Sequence, residues 1–455
     1  MRKWFGLALA AQLVGSPAFA QTDAPASAPE LPKPPVIDDP MLAPPPEAPR
    51  VLSTWDEALA LVRQQSPDYL TSYQNVARAE AQARVALVQL LPTLSGQASY
   101  THQFFTVEFP LSATTTFQSP AADVVGVEAT LNVPLVNLRG IYAQKTATAN
   151  VDAAKLSFNG TRRQIAVSLV HSLLTTLAAE RAAELNRVGL RASLERLALA
   201  KTKVEFRQGT ALDVERAEQD AAAARATLIT GDESLRRTRE ALGVALGSAV
   251  PISAPLDLNL DAFEKAVIRS CTLSPDLESR SDIAAAKRRV VVAERAVKDA
   301  WYQLLPSLSL QSQAAYASEP LLGPNGTWFV EGVLNIPLYD GGLAAATARD
   351  ARASVEQYKQ TLATTRLNAL VDVTQAQRAV GVLTASRDVA RTQRDLAKSI
   401  DGRTREGYLH GLGTSLDLVT SAQSLRQADI NLVLLEFQVS EARANAVLSN
   451  AECGY

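Results

Sequence analysis

The chain has 455 residues, of which 47% are hydrophobic, 20% charged and only 5% aromatic, with a formal net charge of -2 and a mean hydropathy of -0.01. Beyond the N-terminus no run approaches the roughly 18 uncharged apolar residues of a membrane helix, which excludes a polytopic helical membrane protein, and the near-neutral charge leaves no footprint for nucleic acid. The two cysteines, Cys271 and Cys453, stand too far apart for a zinc or CxxC motif.

Arg2 and Lys3 precede an apolar stretch from Phe5 to Val14, and Ala18-Phe19-Ala20 supplies a small-residue cleavage site. Residues 1–20 are therefore expected to be an export signal, the apolar stretch being too short for an uncleaved spanning anchor. Residues 21–50 carry ten of the 23 prolines and are expected to form a disordered or polyproline-II segment. Proline then vanishes from residues 135–250 and 338–455. Proline breaks helix interiors, and both tracts are rich in Ala, Leu, Arg, Gln and Glu, so both are expected to be long helices.

The chain repeats itself. Gln89 to Ser95 (QLLPTLS) returns as Gln303 to Ser309 (QLLPSLS), and Leu131 to Leu135 (LNVPL) as Leu334 to Leu338 (LNIPL). Ser66-Pro67-Asp68 returns as Ser274-Pro275-Asp276, and Gly209 to Asp213 (GTALD) as Gly413 to Asp417 (GTSLD), in the same order and at nearly one offset. Residues 51–250 read as one unit and 261–455 as its duplicate, joined by a linker at 251–260. In each unit Ser66 or Ser274 suits an N-cap, with Pro67 or Pro275 at the first helical position. The helix should run to Gln89 or Gln303, where Leu-Leu-Pro stops it.

Two alternating segments follow in each unit. In Val125 to Val133 the odd positions are apolar, while Gly126, Glu128, Thr130 and Asn132 are small or polar. Trp328, Val330, Leu334, Ile336 and Leu338 are likewise set against Glu331 and Asn335. With partners near 94–104 and 308–316, each unit offers two strands, joined by loops near 102–123 and 318–327. Such alternation fits a water-facing sheet over a core as well as a porin-like wall with lipid outside and water inside. Four strands cannot close a barrel, and lipid tolerates no open edge, so a membrane wall requires several chains. The helix after the first strand pair, from about residue 141 to 206, would reach roughly 100 Å. Gly209 and Gly411/Gly413 suit reversals at positive φ, making each tract a coiled-coil hairpin.

These features together resemble the TolC-like outer membrane efflux family over residues 51–452. The resemblance rests on the duplication, on Leu334-Asn335-Ile336-Pro337-Leu338-Tyr339-Asp340-Gly341-Gly342, and on Tyr408 to Asp417 with Ala422-Gln423. It implies a mostly α fold with a transmembrane β part: four strands per protomer in a shared 12-stranded outer-membrane barrel, continuous with a periplasmic α-helical barrel. It implies a homotrimer in the outer membrane of a Gram-negative bacterium, in contact with lipid and extending into the periplasm. A periplasmic adaptor (membrane fusion) protein and an inner-membrane pump of the RND, ABC or MFS type would complete a tripartite efflux or type I secretion system. Glu128, Asn132, Glu331 and Asn335 would then face the lumen.

The resemblance also marks the hairpin tips. Adaptor hairpins would dock on Gly209, Thr210, Gly411, Leu412 and Gly413. Tyr408 matches the family's gate tyrosine, Asp213 its outer aspartate and Asp417 the first position of an acidic ring. Gly413 stands where the family has an arginine, and Thr420 where it has a second acid. The first turn looks two residues shorter than the usual family loop.

His102, His171 and His410 are widely spaced, and no catalytic motif, cofactor site or metal site is apparent, so no enzyme is expected. The alternatives to a duct are a periplasmic coiled-coil scaffold or an adaptor without a pore. Cys271 and Cys453 lie near unit ends in an oxidising compartment, and either pair with each other or remain as two free buried thiols.

Overall fold

The computed structural model describes residues 37–105, 107–112, 115–119, 123–255, 259–318 and 324–455. The expected export signal and residues 21–36 of the proline-rich segment lie outside them. The first unit opens with β1 (Arg50–Val51), α1 (Trp55–Gln65) and α2 (Pro67–Val88). Thr54 caps α1 by accepting the Glu57 amide, and Glu57 reaches back to the Ser53 amide and hydroxyl. Ser66, held extended ahead of Pro67, separates α1 from α2 but makes no side-chain cap bond. Then come β2 (Thr93–His102), a hairpin of β3 (Val107–Ser112) and β4 (Thr115–Ser119) within the expected loop, and β5 (Asp123–Asn137). Asn137 both ends β5 and caps α3 (Leu138–Glu205) through the Gly140 amide, so the strand passes directly into the helix. The unit closes with α4 (Ala211–Ala245).

The second unit differs at its start. After β6 (Ile252–Ser253) come α5 (Leu260–Arg269), β7 (Cys271–Leu273) and α6 (Ser281–Tyr302). Ser274-Pro275 does not start a helix: Pro275 lies in the turn after β7, and Asp276 caps a short 3-10 turn. The helix waits for Arg280, which is extended, buried, and donates to Asp282, Asp372 and the carbonyls of Ala369 and Ser449. Next follow β8 (Ser307–Ala317), β9 (Gly326–Asn335), α7 (Leu343–Leu409), α8 (Ser415–Leu448) and β10 (Ala451–Cys453).

Four strands form one antiparallel sheet in the order β2-β5-β8-β9. Its burial is inverted relative to a soluble sheet. Along β5 the apolar Val125, Val127 and Leu131 are the exposed positions, while Glu128, Thr130 and Asn132 are the sheltered ones. Thr93, Asn132, Gln311 and Glu331 form one polar row across all four strands. Leu94, Leu131, Ser312 and Val330 form the adjoining row on the other face. Toward the loop end that face carries Tyr100, Tyr316 and Trp328, all exposed, in the manner of the aromatic girdle of a membrane barrel.

α3 spans 68 residues, roughly 100 Å at 1.5 Å per residue. It packs against α2, α4, α6 and α8, whereas α7 packs mainly on α6 and α8. The main apolar core lies part-way along α3. There Ala166, Leu169, Val170, Leu173, Leu174 and Leu177 meet Trp55, Leu59 and Val62 of α1, Leu242 of α4, Phe263 and Val267 of α5, and Leu448 of α8. Two small sheets close this belt. β1 pairs in parallel with β6, which makes part of the 251–260 linker a buried structural piece. β7 pairs antiparallel with β10, setting Cys271 opposite Cys453, and the two are disulfide-bonded.

Part of the proline-rich segment departs from the expectation of disorder. Residues 37–50 form an ordered strap, with Ile37, Met41 and Leu42 packed against Leu190, Leu194, Ala221, Ala224 and Leu228 of α3 and α4. Proline composition alone does not distinguish a free tail from an extended segment held by tertiary contacts.

The disulfide closes a 182-residue separation. Replacing both cysteines by serine should lower stability by about 2–5 kcal/mol. Thermal unfolding of the variant beside the parent checks the size, and non-reducing peptide mapping checks the pairing.

Candidate functional site at the hairpin tips

The two helical hairpins reverse in the same way. The first turn is Phe206 to Thr210 and the second His410 to Thr414, five residues each between helix ends. Within each turn an amide reaches back five residues: Gln208 N donates to the Lys203 carbonyl, and Leu412 N to the Gly407 carbonyl, both at 2.8 Å. The left-handed position is Gly411 (φ 75°) in the second turn but Arg207 (φ 58°) in the first. Gly209 and Gly413 therefore do not supply positive φ, contrary to the sequence reading. They fit tight spaces instead: a Cβ at Gly209 would lie 3.2 Å from the Lys203 Cβ, and one at Gly413 3.3 Å from the Tyr408 amide nitrogen, so either neighbour would have to give by a few tenths of an ångström.

Both second helices start on a capping box. Thr210 accepts the Asp213 amide while Asp213 accepts the Thr210 amide and hydroxyl; Thr414 and Asp417 repeat this. The T-x-x-D spacing is a sequence signature of this motif. So both candidate gate aspartates have a local task. Asp213 is held below its ordinary pKa by a bond from the Ser415 hydroxyl and by Thr210, and Asp417 by Thr414.

Asp213 reaches the other hairpin through Ser415, whose hydroxyl also receives Arg216 at 3.3 Å. Tyr408 is buried between the hairpins. Its closest charged partner is Lys203 of α3, whose Nζ donates to the Tyr408 carbonyl at 2.8 Å and lies 3.9 Å from the ring centroid. Burial lowers the Lys203 pKa against the pull of Asp213, and burial raises that of Tyr408, helped by Asp213. Lys203 is thus the cation that the first hairpin presents to Tyr408 of the second. A lone lysine in a helix carries no pattern, and the sequence reading passed over it.

Asp417 is exposed and lines a groove of about 710 Å³ between α7 and α8 with Leu396, Ile400, Thr404 and Thr420. Leu412 and Phe206 stand out from the tips at 88% and 69% exposure. Behind the tips lies a second link. Asp220 of α4, 1% exposed, accepts Arg196 of α3 at 2.6 and 3.2 Å and Gln423 of α8 at 3.1 Å, with Arg426 of α8 at 4.0 Å. Gly189 leaves the space that Arg426 fills. A buried carboxylate stripped of such partners costs about 3–5 kcal/mol, so the cluster holds the two hairpins together. Of the candidate strand residues, Glu128 and Asn132 sit on the sheltered polar face, and Glu331 and Asn335 are exposed on the β9 edge strand.

An apolar-outside sheet that continues into paired helices far longer than a bilayer fits a channel wall with a periplasmic extension. The chain belongs to the outer membrane efflux protein family, whose model matches residues 58–248 and 273–447. It is an outer membrane efflux channel, and the relatives described next give no support to the alternative of an adaptor. It is 25% identical over 366 residues to the toluene efflux pump outer membrane protein TtgC of Pseudomonas putida, covering 78% of this chain and 74% of that one. The fold matches the CmeC outer membrane channel of Campylobacter jejuni with a TM-score of 0.73 at 14% identity, covering 87% and 84% of the two chains. It matches VceC of Vibrio cholerae with a TM-score of 0.69 at 19% identity, covering 87% and 95%.

Arg207 holds a conformation that costs a non-glycine residue about 1–2 kcal/mol. Arg207→Gly should therefore stabilise the first tip by about 1 kcal/mol, read as slower hydrogen exchange at Gln208 to Asp213. Asp213 and Asp417 have depressed folded-state pKa values, so the stability they contribute is present above the ordinary value of 3.8 and lost as pH falls below it. Protection of the tip amides, taken relative to the intrinsic exchange rate at each pH, should be unchanged from pH 7 to 5 and should fall only below about pH 4.

Proposed function

We propose that three copies of this chain assemble into one exit duct, with twelve strands in the outer membrane over twelve long helices in the periplasm. Cargo would pass through it passively, driven by an inner-membrane pump and handed on by a periplasmic adaptor. The observation that carries the reading is the sheet itself. β2 and β9 each keep an unpaired edge among the described residues, and the apolar face is the exposed one. Hydrocarbon tolerates neither an open edge nor a missing partner, so copies of the chain must supply the neighbours. α7 supports this independently: Leu367, Val371, Val382, Val389, Leu396 and Ile400 are all exposed on it, and Val382, Val389 and Leu396 follow at heptad spacing.

Within such a trimer the tips form the entrance. Gly209, Thr210, Gly411, Leu412 and Gly413 offer the adaptor two similar turns per protomer, each with an exposed apolar residue beside it. Tyr408 and Asp213 stand where the hairpins meet, and three Asp417 carboxylates around a narrow mouth would attract cations. Glu128, Asn132, Glu331 and Asn335 would line the water-filled side of the barrel.

Cross-linking of purified outer membranes should trap a trimer, and the trimer should conduct in planar bilayers; a monomer without conductance would overturn the reading. Asp417→Asn should weaken block of that conductance by multivalent cations at least several-fold, whereas unchanged block would remove Asp417 from the mouth.

A further inference from the structure

We infer that the N-terminal strap is part of the gate: residues 37–47 splint the first hairpin from behind and hold Asp220 where it grips the second. The inference rests on the reading of the tips as a closed entrance.

The strap is built for this surface. Its proline-rich backbone is extended, makes few internal hydrogen bonds and so leaves carbonyls free to accept. Arg187 of α3 donates to the Ala43 carbonyl at 3.3 Å, and Arg239 of α4 to the Pro46 carbonyl at 2.9 Å. Asp39 caps a 3-10 turn through the Met41 amide and pairs with Arg225 of α4 at 2.9 Å. Two of these arginines also join α3 to α4, Arg187 through Asp232 and Arg239 through Glu180. The strap thus completes the guanidinium groups that clamp the hairpin.

Its position connects it to the gate. Ile37, Met41 and Leu42 pack with Leu197 over a cluster that includes Leu194 and Ala221. Arg196 and Asp220 are the neighbours of Leu197 and Ala221 in sequence. Successive helix residues point to different faces, so the strap covers one side of this stretch while Arg196 and Asp220 turn to α8 on another. Asp220 keeps its charge away from water only while Arg196, Gln423 and Arg426 stay in place. Removing the strap would open the apolar cluster to water and loosen the backbone from which Asp220 projects.

The test compares trimers of the parent, a deletion of residues 37–47, the full-length variant Asp39→Asn/Leu42→Ser, and Asp220→Asn in planar bilayers. Both strap variants and Asp220→Asn should raise conductance several-fold, with faster hydrogen exchange across residues 183–239 in the strap variants. A synthetic peptide spanning 37–50 should return the deletion variant toward parent conductance. The substituted variant decides the matter if the deletion does not assemble. If Asp220→Asn opens the channel while the strap variants exchange faster yet conduct like the parent, the strap has no part in the gate. If Asp220→Asn itself leaves conductance unchanged, the closed-entrance reading falls with it.

Discussion

Hydrocarbon cannot satisfy a backbone amide, and that single fact organises this molecule. A sheet with its apolar face outward and two unpaired edges is costly in isolation and stable only as a segment of a closed wall. The helices inherit the constraint. Because each of β5, β8 and β9 is followed or preceded closely by a helix, the spacing of the strands sets the spacing of the helices below them. In the proposed duct the helices would surround a lumen instead of meeting at a common centre, in keeping with the many buried alanines along them and the low aromatic content. The thick core is confined to the belt, where the short elements α1, α5, β1, β6, β7 and β10 fill the outside.

The two units use one plan with different chemistry at matching places. Both tips share a five-residue turn and a Thr-x-x-Asp box. The polar links between them differ in kind: Lys203 and Arg216 of the first hairpin meet a carbonyl, an aromatic ring and a hydroxyl of the second, whereas Asp220, held by Arg196 of its own hairpin, meets the Gln423 amide and the Arg426 guanidinium.

Much of this was legible before any coordinates. Strand alternation and the absence of proline depend on local periods of two and 3.6 residues, and the duplication displays each twice. What was not legible arises from contacts between distant segments. Nothing marks Lys203 as facing Tyr408, because the partner is some 200 residues away. Arg207 is no natural left-handed residue; its turn is recognisable only by its equivalence to the one containing Gly411. Ser274-Pro275 copied the helix start of the first unit, but burial of Arg280 moved the real start downstream. The strap has the composition of a tail, and only the arginines and the apolar cluster of α3 and α4 make it an element.

The bond between Cys271 and Cys453 also orders events in time. An exported chain emerges N-terminal end first, so Cys271 reaches the oxidising side well ahead of its partner. The ring cannot close until α6, β8, β9, α7 and α8 have all followed. Oxidation of this pair is consequently a record of completed translocation of the second unit, and a chain stalled within α7 or α8 would be left carrying a reactive thiol.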